Sequence, residues 1–116
     1  MTPSDLAAAA ASAKAAGRLE EALKLYALAV TLQPDFIAAR LNLGNVLNAL
    51  NRPVDALLHY DLAIAQQSDY ALAHLAKAVA LMALNRHEDA ISAYDRALAI
   101  DPQFGAAEYG LSLIHI

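Results

Sequence analysis

The sequence predicts an all-α chain, an α-solenoid of antiparallel helix–turn–helix repeats with a period of 34 residues. Three observations predict it. The first is recurrence: Gly17-Arg18, Asn51-Arg52 and Asn85-Arg86 hold one place in each period, Tyr26, Tyr60 and Tyr94 another, and Ala22, Ala56 and Ala90 a third. A fixed period of this length is the mark of stacked repeats. The second is composition. Hydrophobic residues make up 59% of the chain, Ala supplies much of that, and Trp is absent. Ala is the best helix former and takes little room, so the composition suits closely packed helices. The third is punctuation. Gly or Asn stands at the predicted turn inside each repeat, and acids follow it at the start of the second helix. A solenoid of this kind has no single central core, only interfaces between neighbouring repeats.

Taken in order, helices are expected near residues 4–16, 19–33, 37–50, 53–67, 71–84 and 87–100, with a seventh beginning near Gly105. Pro3 or Ser4 starts the first, with Asp5 near its positive end. Gly17 ends it, because Gly tolerates the left-handed backbone of a helix stop; Asn51 and Asn85 substitute for it in the next two repeats. Each second helix opens with acids: Glu20 and Glu21, Asp55, then Glu88 and Asp89. Negative charge is favoured there by about 0.3–1 kcal/mol. Pro53 falls in a first turn, where its missing N–H is no loss. Short connections between these helices make neighbours antiparallel.

Small residues recur where helices cross. Ala10, Gly44 and Ala78 share one place in the first helices; Ala22, Ala56 and Ala90, then Ala29, Ala63 and Ala97, share two in the second helices. Interaxial distances of about 8–10 Å require small side chains at the contact. Tyr26, Tyr60 and Tyr94 are expected to fill the space between repeats.

The Leu43-Gly44 pair, Ala56, Tyr60, Ala63 and the Pro34 and Pro102 positions together resemble the tetratricopeptide repeat. The resemblance runs from about Pro3 to Phe104, with repeats at about 3–36, 37–70 and 71–104 and a partial one at 105–110. It implies a right-handed superhelix whose concave face is lined by the first helix of each repeat. Some places depart from the pattern. Ala9-Ala10 replaces Leu-Gly, Arg40 replaces a large apolar residue, Ser68 replaces Pro, and the third repeat carries His74 and Lys77. The Lys77 stem can lie on the packing face while its ammonium reaches outward.

Several function classes are disfavoured. The net charge of −4 argues against nucleic acid, which needs clustered Lys and Arg. Without Cys there are no disulfides or thiolate metal sites, and the lean is to the cytoplasm. No apolar run reaches the roughly 18 residues of a membrane helix, and Met1-Thr2-Pro3-Ser4-Asp5 lacks the basic region of a signal peptide. His59, His74, His87 and His115 form no i, i+3 or i, i+4 pair for a metal. The four glycines are scattered and build no phosphate loop. No catalytic, cofactor or metal site is expected, and the chain is read as a non-enzyme.

The expected function is a scaffold that binds a protein or peptide in the concave groove. On the helical wheel, Leu41, Asn42, Asn45 and Asn48 lie opposite Leu43, Leu47 and Leu50. Leu75, Val79 and Met82 continue that face in the third repeat, and Lys14 represents it in the first. Asn donates and accepts at once, which suits main-chain amides. The competing reading makes the asparagines a solvated helix face and the apolar residues a packing surface. Family members that clamp a terminal carboxylate use Lys and Arg in the groove. Lys14 is the one base in this set, so such a clamp is not expected. Leu43-Gly44-Asn45-Val46-Leu47 also resembles repeats that precede sugar-transferase domains in the O-linked N-acetylglucosamine transferase family, which carry an Asn ladder. Only Asn42 fits that ladder here, with Ala8, Ala76 and Gly110 in the matching places. The alternatives are therefore a recognition region at the front of a larger enzyme, or a self-associating module.

Leu111-Ser112-Leu113-Ile114-His115-Ile116 breaks the period. It resembles the conceptual translation of a transposon-end sequencing adapter and is read as a non-native tail. An apolar end of this kind favours self-association through the C-terminal repeat.

Overall fold

The computed structural model describes residues 1–103 and contains six helices. They are α1 (Pro3–Ala15), α2 (Leu19–Leu32), α3 (Ile37–Ala49), α4 (Pro53–Gln66), α5 (Ala71–Ala83) and α6 (His87–Ile100). No strand occurs among the described residues. Each helix packs mainly on its chain neighbours, and α3 also touches α5. The result is an elongated body of 46 × 25 × 22 Å. The expected all-α repeat solenoid is the observed architecture. The seventh helix, the partial repeat 105–110 and the tail 111–116 lie outside the described residues.

The three hairpins turn by one device. Gly17, Asn51 and Asn85 have φ of 80°, 62° and 60°, the left-handed backbone expected of them. The next residue reaches back into the finished helix: Arg18 N–H donates to Ala13 O at 2.8 Å, and Arg52 and Arg86 N–H donate to Leu47 O and Leu81 O at 2.9 Å. The left-handed residues themselves donate to Lys14, Asn48 and Met82 carbonyls, each at 3.0 Å. This is a Schellman stop, which satisfies carbonyls the helix leaves unpaired.

The arginine after each stop flanks the start of the second helix, makes no capping bond to its backbone, and pairs instead with an acid of the first turn. Arg18 pairs with Glu21 at 2.7 Å, and Arg52 with Asp55 and Arg86 with Asp89 at 2.8 Å. All three pairs are about half exposed, so each adds little to stability and mainly orders the corner. At the start of α1, Pro3 occupies the first turn as expected, but the cap is Thr2. Thr2 and Asp5 bond each other reciprocally at 3.0 and 3.1 Å, forming a capping box.

The interior is built from small residues. Ala10, Ala22, Ala29, Ala56, Ala63, Ala78, Ala90 and Ala97 are all fully buried. Gly44 is the tightest place: a Cβ there would stand 2.5 Å from Tyr60 Cε1. The tyrosines are buried as expected. Tyr60, however, packs on Gly44 of its own repeat and does not merely fill the gap to the next.

Position four of the first helix carries a second recurring device. Arg40 Nη2 donates to Pro34 O at 3.1 Å, and the equivalent His74 Nε2–H donates to Ser68 O at 2.9 Å. Both hold the corner between repeats from the following helix. Gln66 Nε2 adds a bond of 2.8 Å to the same Pro34 carbonyl. Arg40 and His74 each find a carbonyl acceptor at this otherwise apolar position, although Arg40 Nε stays buried without a partner. Lys77 reaches Asp61 on α4 at 2.8 Å, its side chain one-third exposed, as a snorkelling lysine should.

Candidate functional site: the groove between α3 and α5

Where α3 faces α5 the chain opens a cavity of about 320 Å³. Leu41, Asn42, Asn45, Asn48, Tyr60, Leu72, Leu75, Ala76 and Val79 line it. The structure thus brings together six of the eight predicted groove residues. Lys14 and Met82 do not line it. They are the first- and third-repeat equivalents of Asn48, one repeat away in either direction, and Met82 packs half-buried against the core.

The lining holds no acid and no base. Leu41 is buried and forms floor, whereas Leu72 and Val79 are about half exposed and form rim. Asn42, Asn45 and Asn48 are half-buried. Asn45 is held: the Tyr60 hydroxyl donates to its Oδ1 at 2.7 Å. Periodicity could not show that contact, since neither neighbouring repeat carries an Asn at the equivalent place. Burial pushes the Tyr60 phenol up to about 12, so the hydroxyl stays protonated and donating at neutral pH.

Two further cavities lie on the opposite side of α3 and α5, at equivalent places in successive repeats. One is lined by Leu23, Ala27, Leu43, Leu47, Arg52, Asp55, Leu58 and His59, among others. The other has Leu57, Asp61, Lys77, Leu81, Arg86, Asp89, Ser92 and Ala93 in the same register. Their charges are largely satisfied in pairs: Arg52–Asp55, Lys77–Asp61 and Arg86–Asp89. His59, which lines the first of them, has its Nδ1 3.3 Å from Arg40 Nη1. An arginine can only donate, so Nδ1 accepts and the ring is neutral. Burial, then the Arg40 charge, holds the His59 pKa below its ordinary value; Asp55 pulls weakly the other way.

Among the described residues no three His, Asp or Glu side chains converge to hold a metal. No helix there is long and apolar enough to cross a membrane.

The sequence profile of the tetratricopeptide repeat matches residues 7–71, and a second profile of that repeat matches 71–104. The chain belongs to the tetratricopeptide repeat family. Comparison with curated protein sequences gave no match. Among solved structures, the first tetratricopeptide domain of Spaghetti (RPAP3), bound to the HSP90 peptide SRMEEVD, superposes with a TM-score of 0.95 at 23% identity, covering 98% of this chain and 90% of that one. The tetratricopeptide domain of Arabidopsis OM64 gives 0.93 at 19% identity, covering 98% and 96%. The Sgt2 domain of Aspergillus fumigatus gives 0.92 at 19%, covering 97% and 76%. At such identities these likenesses carry the fold and not the ligand. In tetratricopeptide terms, the cavity between α3 and α5 joins the first helices of consecutive repeats.

Proposed function

We propose that this tetratricopeptide array is a non-catalytic interaction scaffold that holds a segment of a partner protein in the groove between α3 and α5. The observation that carries the reading is the lining itself. Three half-buried asparagines stand over an apolar floor without a single charge. Asparagine side chains match main-chain amides in both senses, and the leucines and Val79 take apolar side chains. The peptide on the Spaghetti (RPAP3) domain, SRMEEVD, carries three acids. The groove here offers no base to meet such acids, so the partner segment is of another kind.

Selection from a displayed library of random peptides tests this. The wild-type chain is expected to enrich a family of related sequences. The triple variant Asn42→Ala, Asn45→Ala and Asn48→Ala should fail to enrich them while melting within a few degrees of wild type. A wild type that enriches nothing, or a variant that enriches the same sequences, overturns the reading. The self-associating alternative, through the C-terminal end, is separated by sedimentation: a chain monomeric at high concentration contradicts it.

A further inference from the structure

The second repeat contains a three-residue unit that the other two lack. Gly44 leaves room for the Tyr60 ring, which a Cβ would meet at 2.5, 2.8 and 3.0 Å. The ring lies against it almost wholly buried, at 1% exposure, with its hydroxyl on Asn45 Oδ1 at 2.7 Å. The equivalent places hold Ala10, Ala11 and Tyr26 in the first repeat and Ala78, Val79 and Tyr94 in the third. There a methyl group replaces the hydrogen of Gly44, and no side chain can take the phenol as Asn45 does.

A carboxamide is planar and carries its oxygen and its NH2 on opposite sides of the central carbon. With Oδ1 engaged by a buried phenol, its rotation is fixed. Among the described residues no acceptor takes Asn45 Nδ2, and Asn45 lines the cavity. Its NH2 is therefore unspent and available to donate toward the cavity. We propose that Tyr60 is a positioning residue that fixes Asn45 as an N–H donor in the groove, and that the occupant is an uncharged apolar residue of a peptide whose main-chain carbonyl accepts from Asn45 while its side chain enters between Leu41, Leu72, Leu75 and Val79. This rests on the groove reading above and adds a direction to it. The absence of charge in the lining selects the occupant, because an acid or base there would be desolvated without a partner.

The test uses the full chain and two small probes, N-acetyl-leucine-N-methylamide and N-acetyl-aspartate-N-methylamide, followed by NMR. The capped leucine should shift the Leu75 and Val79 methyl signals and the Asn45 side-chain NH2. The capped aspartate should bind far more weakly. In Tyr60→Phe the capped leucine should still shift the two methyls but bind about fivefold more weakly, the worth of one ordinary hydrogen bond, with the Asn45 NH2 no longer responding. Asn45→Asp keeps an acceptor for Tyr60, removes the donor and adds a charge to the lining, so it should lose at least as much. If the capped leucine moves none of these signals, the groove reading itself falls. If it moves the two methyls with equal affinity in wild type, Tyr60→Phe and Asn45→Asp, the groove stands and the positioning role is overturned. Equal binding of the aspartate probe overturns the uncharged occupant.

Discussion

Replacing Gly44 with Ala should destabilise the chain, against the usual direction of that substitution. In a helix interior Gly→Ala gains roughly 1 kcal/mol from backbone entropy alone. Here the new methyl would stand 2.5 Å from Tyr60 Cε1 and 2.8 Å from Cδ1. Ordinary contact begins near 3.4 Å, so the ring must retreat by about 0.9 Å. Tyr60 is 1% exposed and tethered to Asn45, and so has no slack. Overpacking of this kind costs about 1–3 kcal/mol, and releasing the phenol from Asn45 costs about another 1 kcal/mol. The net expectation is a loss of roughly 1–3 kcal/mol, each kcal/mol lowering the melting temperature by about 4 °C in a domain a little over 100 residues long. Thermal and urea unfolding of Gly44→Ala measure it. In a Tyr60→Leu background the ring is gone, and the same change should become stabilising. A single variant Gly44→Ala that melts above wild type would refute the tight approach.

Three further outcomes are expected. Stability should fall on acidification through His59: its folded pKa lies below the unfolded value near 6.5, so the unfolded chain takes the proton first. The contribution is present above about pH 6.5 and lost as pH drops through the folded value, because a protonated ring would be desolvated by burial and would face Arg40, with only Asp55 opposed. His59→Gln should flatten the urea-midpoint profile between neutral and acid pH, and an unchanged slope would contradict the Arg40–His59 geometry. Ala56→Leu, at a fully buried crossing, should cost about 1–3 kcal/mol by overpacking, measured by urea unfolding. Asp55→Asn should change stability by less than about 1 kcal/mol, since its pair with Arg52 is half exposed; a larger loss on melting would show that the corner pairs matter more than their exposure implies.

How much was legible in the sequence differs by kind of interaction. Local backbone events were legible. The left-handed stops at Gly17, Asn51 and Asn85 and the acid-led second helices follow from residue type at one position, repeated three times. The buried small residues were legible for the same reason, because a period of 34 places Ala56 and Ala90 wherever Ala22 must be. The corner arginines were readable too: Arg18, Arg52 and Arg86 each stand three residues before an acid, a pattern the groove argument passed over. Thr2 was missed as a cap although Asp5 three residues on is the other half of the box. Arg40 and His74 looked like departures from an apolar position. Their acceptors are carbonyls of the preceding corner, and a carbonyl leaves no mark in a sequence. The groove was half legible. Helical spacing put Asn42, Asn45 and Asn48 on one face, and the cavity unites them with Leu41, Leu75 and Val79. The bond between Tyr60 and Asn45 depends on the approach of α4 to α3, and only the empty side chain of Gly44 hinted at it.

A structure of the chain in complex with a library-selected peptide decides whether the groove is the binding site. The peptide is expected to lie between α3 and α5, with an apolar side chain against Leu75 and Val79 and a main-chain carbonyl at Asn45 Nδ2. A peptide seated instead on the opposite side, over Leu58 and Arg86, or one held by Lys14 with the asparagines untouched, would contradict that placement.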